Sequence, residues 1–194
     1  MAGGNGTLRQ TLGGGAMKLW LDRLDSPIGE ILVVTDDRAL YALDFADYEA
    51  RMLTLLRQRF QALEFTNVKN SLGICDRLHA YFAGNFDVLE EIPVNLGGTA
   101  FQQQVWQALR SIPVGTVMSY GKLATQLHKP NASRAVGMAN SLNPISIVLP
   151  CHRVVGANAS LTGYAGGLDR KRWLLAHEGV TLEPFRDRQQ LALF

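Results

Sequence analysis

Cysteine is scarce in this chain, and its two copies in 194 residues, Cys75 and Cys151, lie far apart. Such spacing gives neither a disulfide framework nor paired thiols for a metal site, and it suits the reducing conditions of a cytoplasm. Long apolar runs are missing too. None approaches the roughly 20 residues that a membrane-spanning helix needs, so no membrane partner is expected. The glycine-rich opening, Met1 to Ala16, lacks the apolar centre of a secretory signal and reads as a disordered leader, with Met17 a candidate native start. No low-complexity tract occurs. At 47% hydrophobic and 19% charged residues the composition is that of a soluble globular protein, and the length suits one large domain or two small ones.

Charge is small in sum, at +2, but unevenly placed. From Gly97 to Val180 eight Lys or Arg stand against two Asp or Glu, whereas Met17 to Leu96 holds eight basic and thirteen acidic residues. The C-terminal half is therefore the half suited to a polyanion, although such a bias equally describes a solvated face.

Three short apolar runs, Lys18 to Leu24, Glu30 to Thr35 and Ala39 to Phe45, are separated by Ser26-Pro-Ile-Gly29 and Asp36-Asp-Arg38. Turn residues between such runs predict an antiparallel three-strand meander. Helical spacing then predicts amphipathic helices over Tyr48 to Leu63 (Met52, Leu55, Leu56, Phe60, Leu63) and over Ser71 to Phe82 (Leu72, Cys75, Leu78, His79, Phe82), both packed on the sheet. Cys75 shares a face with Leu72, Leu78 and Phe82 and reads as inert core. Gly97-Gly-Thr99 marks a boundary, with Thr99 as N-cap of a helix from Phe101 to Ile112. The expected fold class is α/β (α+β): residues 17–96 form an N-terminal domain of a small three-stranded antiparallel sheet with helices, and residues 97–182 a mostly helical C-terminal domain. Residues 183–194 form a tail without an assigned role.

After Pro113-Val-Gly115, Tyr120 to Leu127 places Leu123, Ala124 and Leu127 on one helical face. His128-Lys-Pro-Asn131 breaks that helix, and a second runs from Ala132 to about Ser141 with Ala132, Ala135, Val136 and Ala139 at i, i+3, i+4 and i+7. Two short helices about a tight break have the form of a helix-turn-helix. The second is nearly bare: Ser133, Ala135, Gly137, Ala139 and Ser141 are small, and Arg134 is its one charged group. So thin a helix, poor in base-reading side chains, suits largely sequence-independent contact in a minor groove; it suits tight packing on a neighbouring helix equally well.

The most informative stretch is Asn143-Pro-Ile-Ser-Ile-Val-Leu-Pro-Cys-His-Arg-Val154, where an apolar run ends in proline and a thiol and an imidazole follow at once. A nucleophilic thiolate needs an electropositive or hydrogen-bonded setting, which His152, Arg153 and a downstream helix can supply. Taken alone, Pro-Cys-His is equally compatible with a buried structural cysteine.

With its flanks, the stretch resembles the O6-alkylguanine-DNA alkyltransferase family, whose active-site signature is Pro-Cys-His-Arg-Val. The resemblance extends through Phe101 to Pro113, Ser119-Tyr-Gly-Lys-Leu-Ala124, Arg134-Ala-Val-Gly137, Gly163-Tyr-Ala-Gly-Gly167, Lys171 and Trp173-Leu-Leu-Ala-His-Glu-Gly179, covering nearly all of residues 99–180. The N-terminal half is similar more loosely, in Ser26-Pro-Ile-Gly29 and Tyr81-Phe-Ala-Gly84, in the manner of the bacterial Ogt type, and its implied fold is RNase H-like.

That resemblance implies a DNA repair protein that flips an O6-alkylguanine out of duplex DNA and moves its methyl or larger alkyl group irreversibly to Cys151, once per molecule; O4-alkylthymine is a second candidate lesion. His152 is then the base acting through a water, Glu178 orients and polarises the imidazole, and Asn143 braces the turn. Tyr120 helps rotate the nucleotide and donates to the departing guanine, with Lys171 assisting its proton supply. Val154, Tyr164 and Ala165 bind the extruded base, and Gly166 permits close approach. Arg134 fills the vacated place in the stack, and Ser133, Ala135, Gly137 and Tyr120 share its DNA face. The implied partner is double-stranded DNA bound by its minor groove, the implied state is a monomer, and no cofactor or metal is expected. Human-type members hold zinc through N-terminal cysteines and histidines, but Met17 to Leu96 offers only Cys75 and His79.

Two rival classes use the same residues. A thiol hydrolase would pass through an acyl intermediate on Cys, His and Glu and would turn over. A lesion-binding module without chemistry would keep the DNA face and dispense with the reactive cysteine, which is present here.

Overall fold

The computed structural model describes residues 15–181. The expected tail, and the leader up to residue 14, lie outside the described residues. The three-strand meander forms as predicted: β1 (Met17–Leu24) pairs antiparallel with β2 (Ile31–Thr35), and β2 with β3 (Leu40–Phe45). A fourth strand, β4 (Leu63–Asn67), joins parallel to β1, so the sheet is mixed with the order β3-β2-β1-β4. The predicted helix from 48 to 63 is accordingly shorter. It runs as α1 (Glu49–Arg57), and Leu63 pairs with Met17 across the sheet. Leu63 lies seven residues after Leu56 and fits a helical stripe, but a parallel strand needs a crossover, and α1 is that crossover.

Every residue of β2 and β3 is buried, because both faces of the sheet are covered. Leu32, Val34, Tyr41 and Ala42 pack with Met52 and Leu56 of α1, while Ile31, Val33, Leu40, Leu43 and Phe45 belong to a second, larger core. That core includes α2 (Ile74–Phe82) through Ile74, Cys75, Leu78 and Tyr81. Leu72 departs from the expected face. It sits in a turn before the helix at φ 55° and is 39% exposed, because Asn70, Leu72 and Gly73 all take left-handed backbone there.

The C-terminal half begins with α3 (Ala100–Leu109), started by a reciprocal cap in which Thr99 and Gln102 each bond the other's backbone N–H. α4 (Tyr120–Gln126), capped by Ser119, and α5 (Ser133–Ser141) form the helix-turn-helix. Trp106 of α3 locks onto α5 by an indole N–H bond to the Ala139 carbonyl at 2.8 Å. A short parallel pair not foreseen from sequence, β5 (Met118–Ser119) with β6 (Val154–Val155), ties the start of α4 to the strand after Cys151. The last element among the described residues is α6 (Leu168–His177).

The larger core draws on both halves, from Leu24 to Leu174. The join is also hydrogen-bonded: Leu43 N–H donates to the Pro144 carbonyl at 3.0 Å and Ser146 N–H to the Leu43 carbonyl at 2.8 Å, so the edge of β3 holds the segment leading to Cys151. Arg170 at the start of α6 reaches back to the Ile28 carbonyl and Asp47 and lies over the Phe45 ring at 4.1 Å. Among the described residues no helix is long and apolar enough to cross a membrane.

Candidate active site and nucleic-acid interface

Asn143 organises the turn that presents the thiol. Its side-chain oxygen accepts from the Ile145 N–H at 3.0 Å and its amide donates to the Leu149 carbonyl at 2.8 Å, closing the loop across its base. Arg51 of α1 adds a grip from the N-terminal half, donating to the carbonyls of Ser141 at 2.7 Å and Asn143 at 3.0 Å while paired with buried Asp44. At the tip of the loop Ile147 takes φ 69°, a rare conformation for a β-branched residue that the surrounding bonds must hold. After Pro150 the chain enters a single 3-10 turn, Cys151–Arg153, whose side chains are all buried. Burial pushes the Cys151 thiol pKa up, against opposing pulls from an Asn143 hydrogen bond and the Lys171 charge.

The same turn directs His152 and Arg153 onto Glu178, just past the end of α6. Imidazole Nε2 lies 2.9 Å from Glu178 Oε1. Arg153 makes a two-pronged contact, Nε to Oε2 at 2.8 Å and Nη2 to Oε1 at 2.9 Å, and its Nη1 donates to the Ile112 carbonyl at 2.6 Å. A fourth donor comes from the other half of the chain: the Tyr81 hydroxyl reaches Oε1 at 2.8 Å. Burial works against a charge on Glu178, but the bonds and charges of His152 and Arg153 outweigh it and hold the carboxyl at about 2. Glu178 is therefore ionised, and His152 Nε2 must carry the proton of their shared bond. Nδ1 is left as the lone-pair nitrogen, buried and without a hydrogen-bond partner among the described residues. Burial lowers the His152 pKa despite the carboxylate beside it. The resting pair is thus a neutral thiol and a neutral imidazole.

Lys171, whose charge acts on the Cys151 thiol, is fully buried. Its ammonium donates to the carbonyls of Val154 at 2.5 Å and Thr162 at 2.8 Å, and burial brings its pKa down to about 8. Lys171 thus fastens the two ends of the loop after Cys151; among the described residues no hydrogen bond joins it to Tyr120. The Tyr120 hydroxyl instead lies 3.4 Å from the Gly163 carbonyl. Tyr164 is buried, its hydroxyl without a hydrogen-bond partner among the described residues, Ala165 is half-buried, and Gly166 is needed for packing: a Cβ there would stand 2.5 Å from the Phe45 ring and 2.7 Å from the Tyr164 ring. The close approach at Gly166 is therefore made by the protein's own aromatics.

On α5, Arg134 and Ala135 are exposed, and Ser133 and Gly137 are half-buried. Gly137 lies beside the Tyr120 ring, so the two helices meet there. Met138, one turn beyond Arg134, is 64% exposed. Lys122 and Lys129 are exposed nearby. Three contributors to the site escaped the sequence reading as individuals: Tyr81, Arg51, and Asn140, whose amide lies 3.5 Å from the Cys151 carbonyl. Arg153 was read only as part of an electropositive setting, and its clamp on Glu178 depends on a residue 25 positions away. Among the described residues no cluster of His, Cys, Asp and Glu is arranged to hold a metal ion.

A helix-turn-helix fused to an α/β layer, with a buried cysteine backed by a His-Glu pair, defines a cysteine-nucleophile protein built on a nucleic-acid-binding scaffold. Comparison with known proteins narrows the class. Residues 22–96 match the ribonuclease-like domain of 6-O-methylguanine DNA methyltransferase, and residues 100–180 match its DNA-binding domain. Methylated-DNA--protein-cysteine methyltransferases of Shigella flexneri and Salmonella typhimurium are 47% and 50% identical over 169 residues, which is 86% of this chain and 99% of theirs. The Mycobacterium tuberculosis OGT structure in complex with DNA superposes with a TM-score of 0.70 at 41% identity, over 84% of this chain and 92% of that one. The chain belongs to the 6-O-methylguanine DNA methyltransferase family.

Proposed function

We infer that this protein repairs alkylated DNA by direct reversal, taking the alkyl group from O6-alkylguanine in a duplex onto Cys151 in a single irreversible turnover. The observation that carries this reading is the buried Cys151 turn backed by the ionised Glu178 and a His152 whose Nδ1 is free to accept a proton. The lesion carbon is out of reach inside the stack, so the base is flipped, at a cost of a few kcal/mol. Arg134, at the exposed front of α5, occupies the gap, and the small residues around it let the helix approach a minor groove.

In the pocket, His152 Nδ1 takes the Cys151 proton through a water as the sulfur attacks the alkyl carbon. The C–S bond forms, the bond from that carbon to guanine O6 breaks, and its electron pair goes to the purine, which recovers a proton from Tyr120. Backbone N–H groups around Val154 and Ala165 receive the base, and Lys171 keeps the loop between them closed. A neutral thiol and imidazole suit this order of events, because burial disfavours a resting ion pair and charge separates only as the sulfur attacks. The thioether product has no second thiol beside it, since Cys75 bonds Asp22 and burial pushes its pKa up to about 12. The division at 96/97 into an RNase H-like domain and a DNA-binding, alkyl-accepting domain, a monomeric state and a cytoplasmic location belong to the same reading. Incubation with a fluorescent O6-benzylguanine followed by peptide mapping tests it: label on the Cys151 peptide, lost in Cys151→Ser, is expected, and label elsewhere or none overturns it.

A further inference from the structure

Glu178 has more donors than an orienting carboxylate requires, and one of them comes from the domain without an assigned part in the chemistry. Tyr81 lies in the last turn of α2, fully buried, 97 residues away in sequence from the oxygen it meets. Its ring stands edge-on to Phe82, Phe86 and His177 at 5.4, 5.5 and 5.4 Å, and its backbone carbonyl is 2.9 Å from His177 Nε2. The ring is therefore held by three neighbours, and its hydroxyl is directed onto Glu178. The hydroxyl shares Oε1 with His152 Nε2 and Arg153 Nη2, whereas Oε2 accepts from Arg153 Nε.

We propose that Tyr81 is a positioning residue of the proton relay, fixing the Glu178 oxygen that faces His152 and drawing off part of its negative charge. The inference rests on the relay described above. Two effects follow from one bond. The carboxylate is held so that His152 keeps its proton on Nε2 and its lone pair on Nδ1, and because Oε1 accepts from a phenol as well as from Arg153 it stabilises an imidazolium less than it would without the phenol. Charged and titratable groups near this pair are Arg153 and Lys171 as cations, buried Cys151 and Tyr164, and His177 behind Tyr81; Tyr81→Phe leaves all of them in place.

The test is the single-turnover rate on free O6-benzylguanine from acid to mildly alkaline pH for the full chain, with Tyr81→Phe and with 3-fluorotyrosine at position 81. In Tyr81→Phe the plateau rate is expected to fall about fivefold, as a hydrogen bond to a charged group is lost. The acid limb moves to higher pH, since an oxygen with one donor fewer favours the protonated imidazole. The fluorinated phenol, a stronger donor of almost the same shape, moves the limb the other way. Opposite displacements cannot arise from loosened packing. An acid limb unmoved in both proteins overturns the inference, and if Tyr81→Phe does not fold the fluorotyrosine protein decides alone. Glu178→Gln in the same assay separates the two levels: a profile like that of the unmodified protein removes the relay itself, whereas an altered profile beside inert Tyr81 variants removes only Tyr81.

Discussion

Glu178→Gln also tests how far the reactive centre is part of the fold's stability. The unmodified carboxyl is lowered from an ordinary 4.5 to about 2, and at about 1.4 kcal/mol per unit the interval corresponds to roughly 3 kcal/mol. Loss of the charge also leaves the Arg153 guanidinium, 8% exposed, without its counterion, and removing one partner of a buried pair costs about 3–5 kcal/mol. The two figures agree. For a chain of this size a loss of about 3 kcal/mol lowers Tm by roughly 6–12 °C. The sign with pH is fixed by the lowered pKa: the contribution is complete above about pH 4.5 and is lost as pH falls toward 2. Urea unfolding of both proteins from pH 7 to pH 3.5 is the assay. The difference in unfolding free energy should be constant from pH 7 to about 5 and shrink by roughly 1 kcal/mol by pH 3.5. A difference that ignores pH, or one below 1 kcal/mol at neutrality, refutes the reasoning.

Cys151→Ala is expected to abolish transfer while leaving duplex affinity intact by fluorescence anisotropy; residual alkyl uptake would direct attention to Cys75. Arg134→Ala should slow repair in duplex by about tenfold more than reaction with free O6-benzylguanine, because a role in holding the flipped state matters only in the stack; equal losses would mean a damaged pocket. Since burial lowers the His152 pKa, the rate on free O6-benzylguanine should hold to a lower pH than an ordinary imidazole permits, about 6.5, and fall only beneath it; a limb above that value contradicts the neutral resting pair. Arg51→Leu strands Asp44, whose carboxyl burial already raises, and should cost about 3 kcal/mol by urea unfolding.

Much of the site was legible because its parts are close in sequence. Asn143, Cys151, His152 and Arg153 lie within one turn-forming stretch, and Thr99 after two glycines announced the cap of α3. The helix-turn-helix was visible as two apolar stripes about a proline break. What stayed hidden depends on contacts between distant residues. β4 has only one side chain that is even half-buried toward the core, Leu63, so its alternation is too weak to distinguish it from an extension of α1. Tyr81 and Arg51 look like ordinary helix residues, and nothing local says that one meets Glu178 or that the other reaches the end of α5. The neutral resting state of Cys151 and His152 was also out of reach, since it follows from burial, which no residue pattern around Pro-Cys-His specifies.

The central claim is that Cys151 accepts one alkyl group and cannot shed it. Intact mass spectrometry during titration with a duplex carrying O6-methylguanine, in increasing excess over protein, measures this directly. A mass gain of a single methyl per chain, located on Cys151, with lesion loss stopping at one equivalent, is the expected result. Lesion loss that continues past one equivalent, or a methyl group found on another residue, would contradict it.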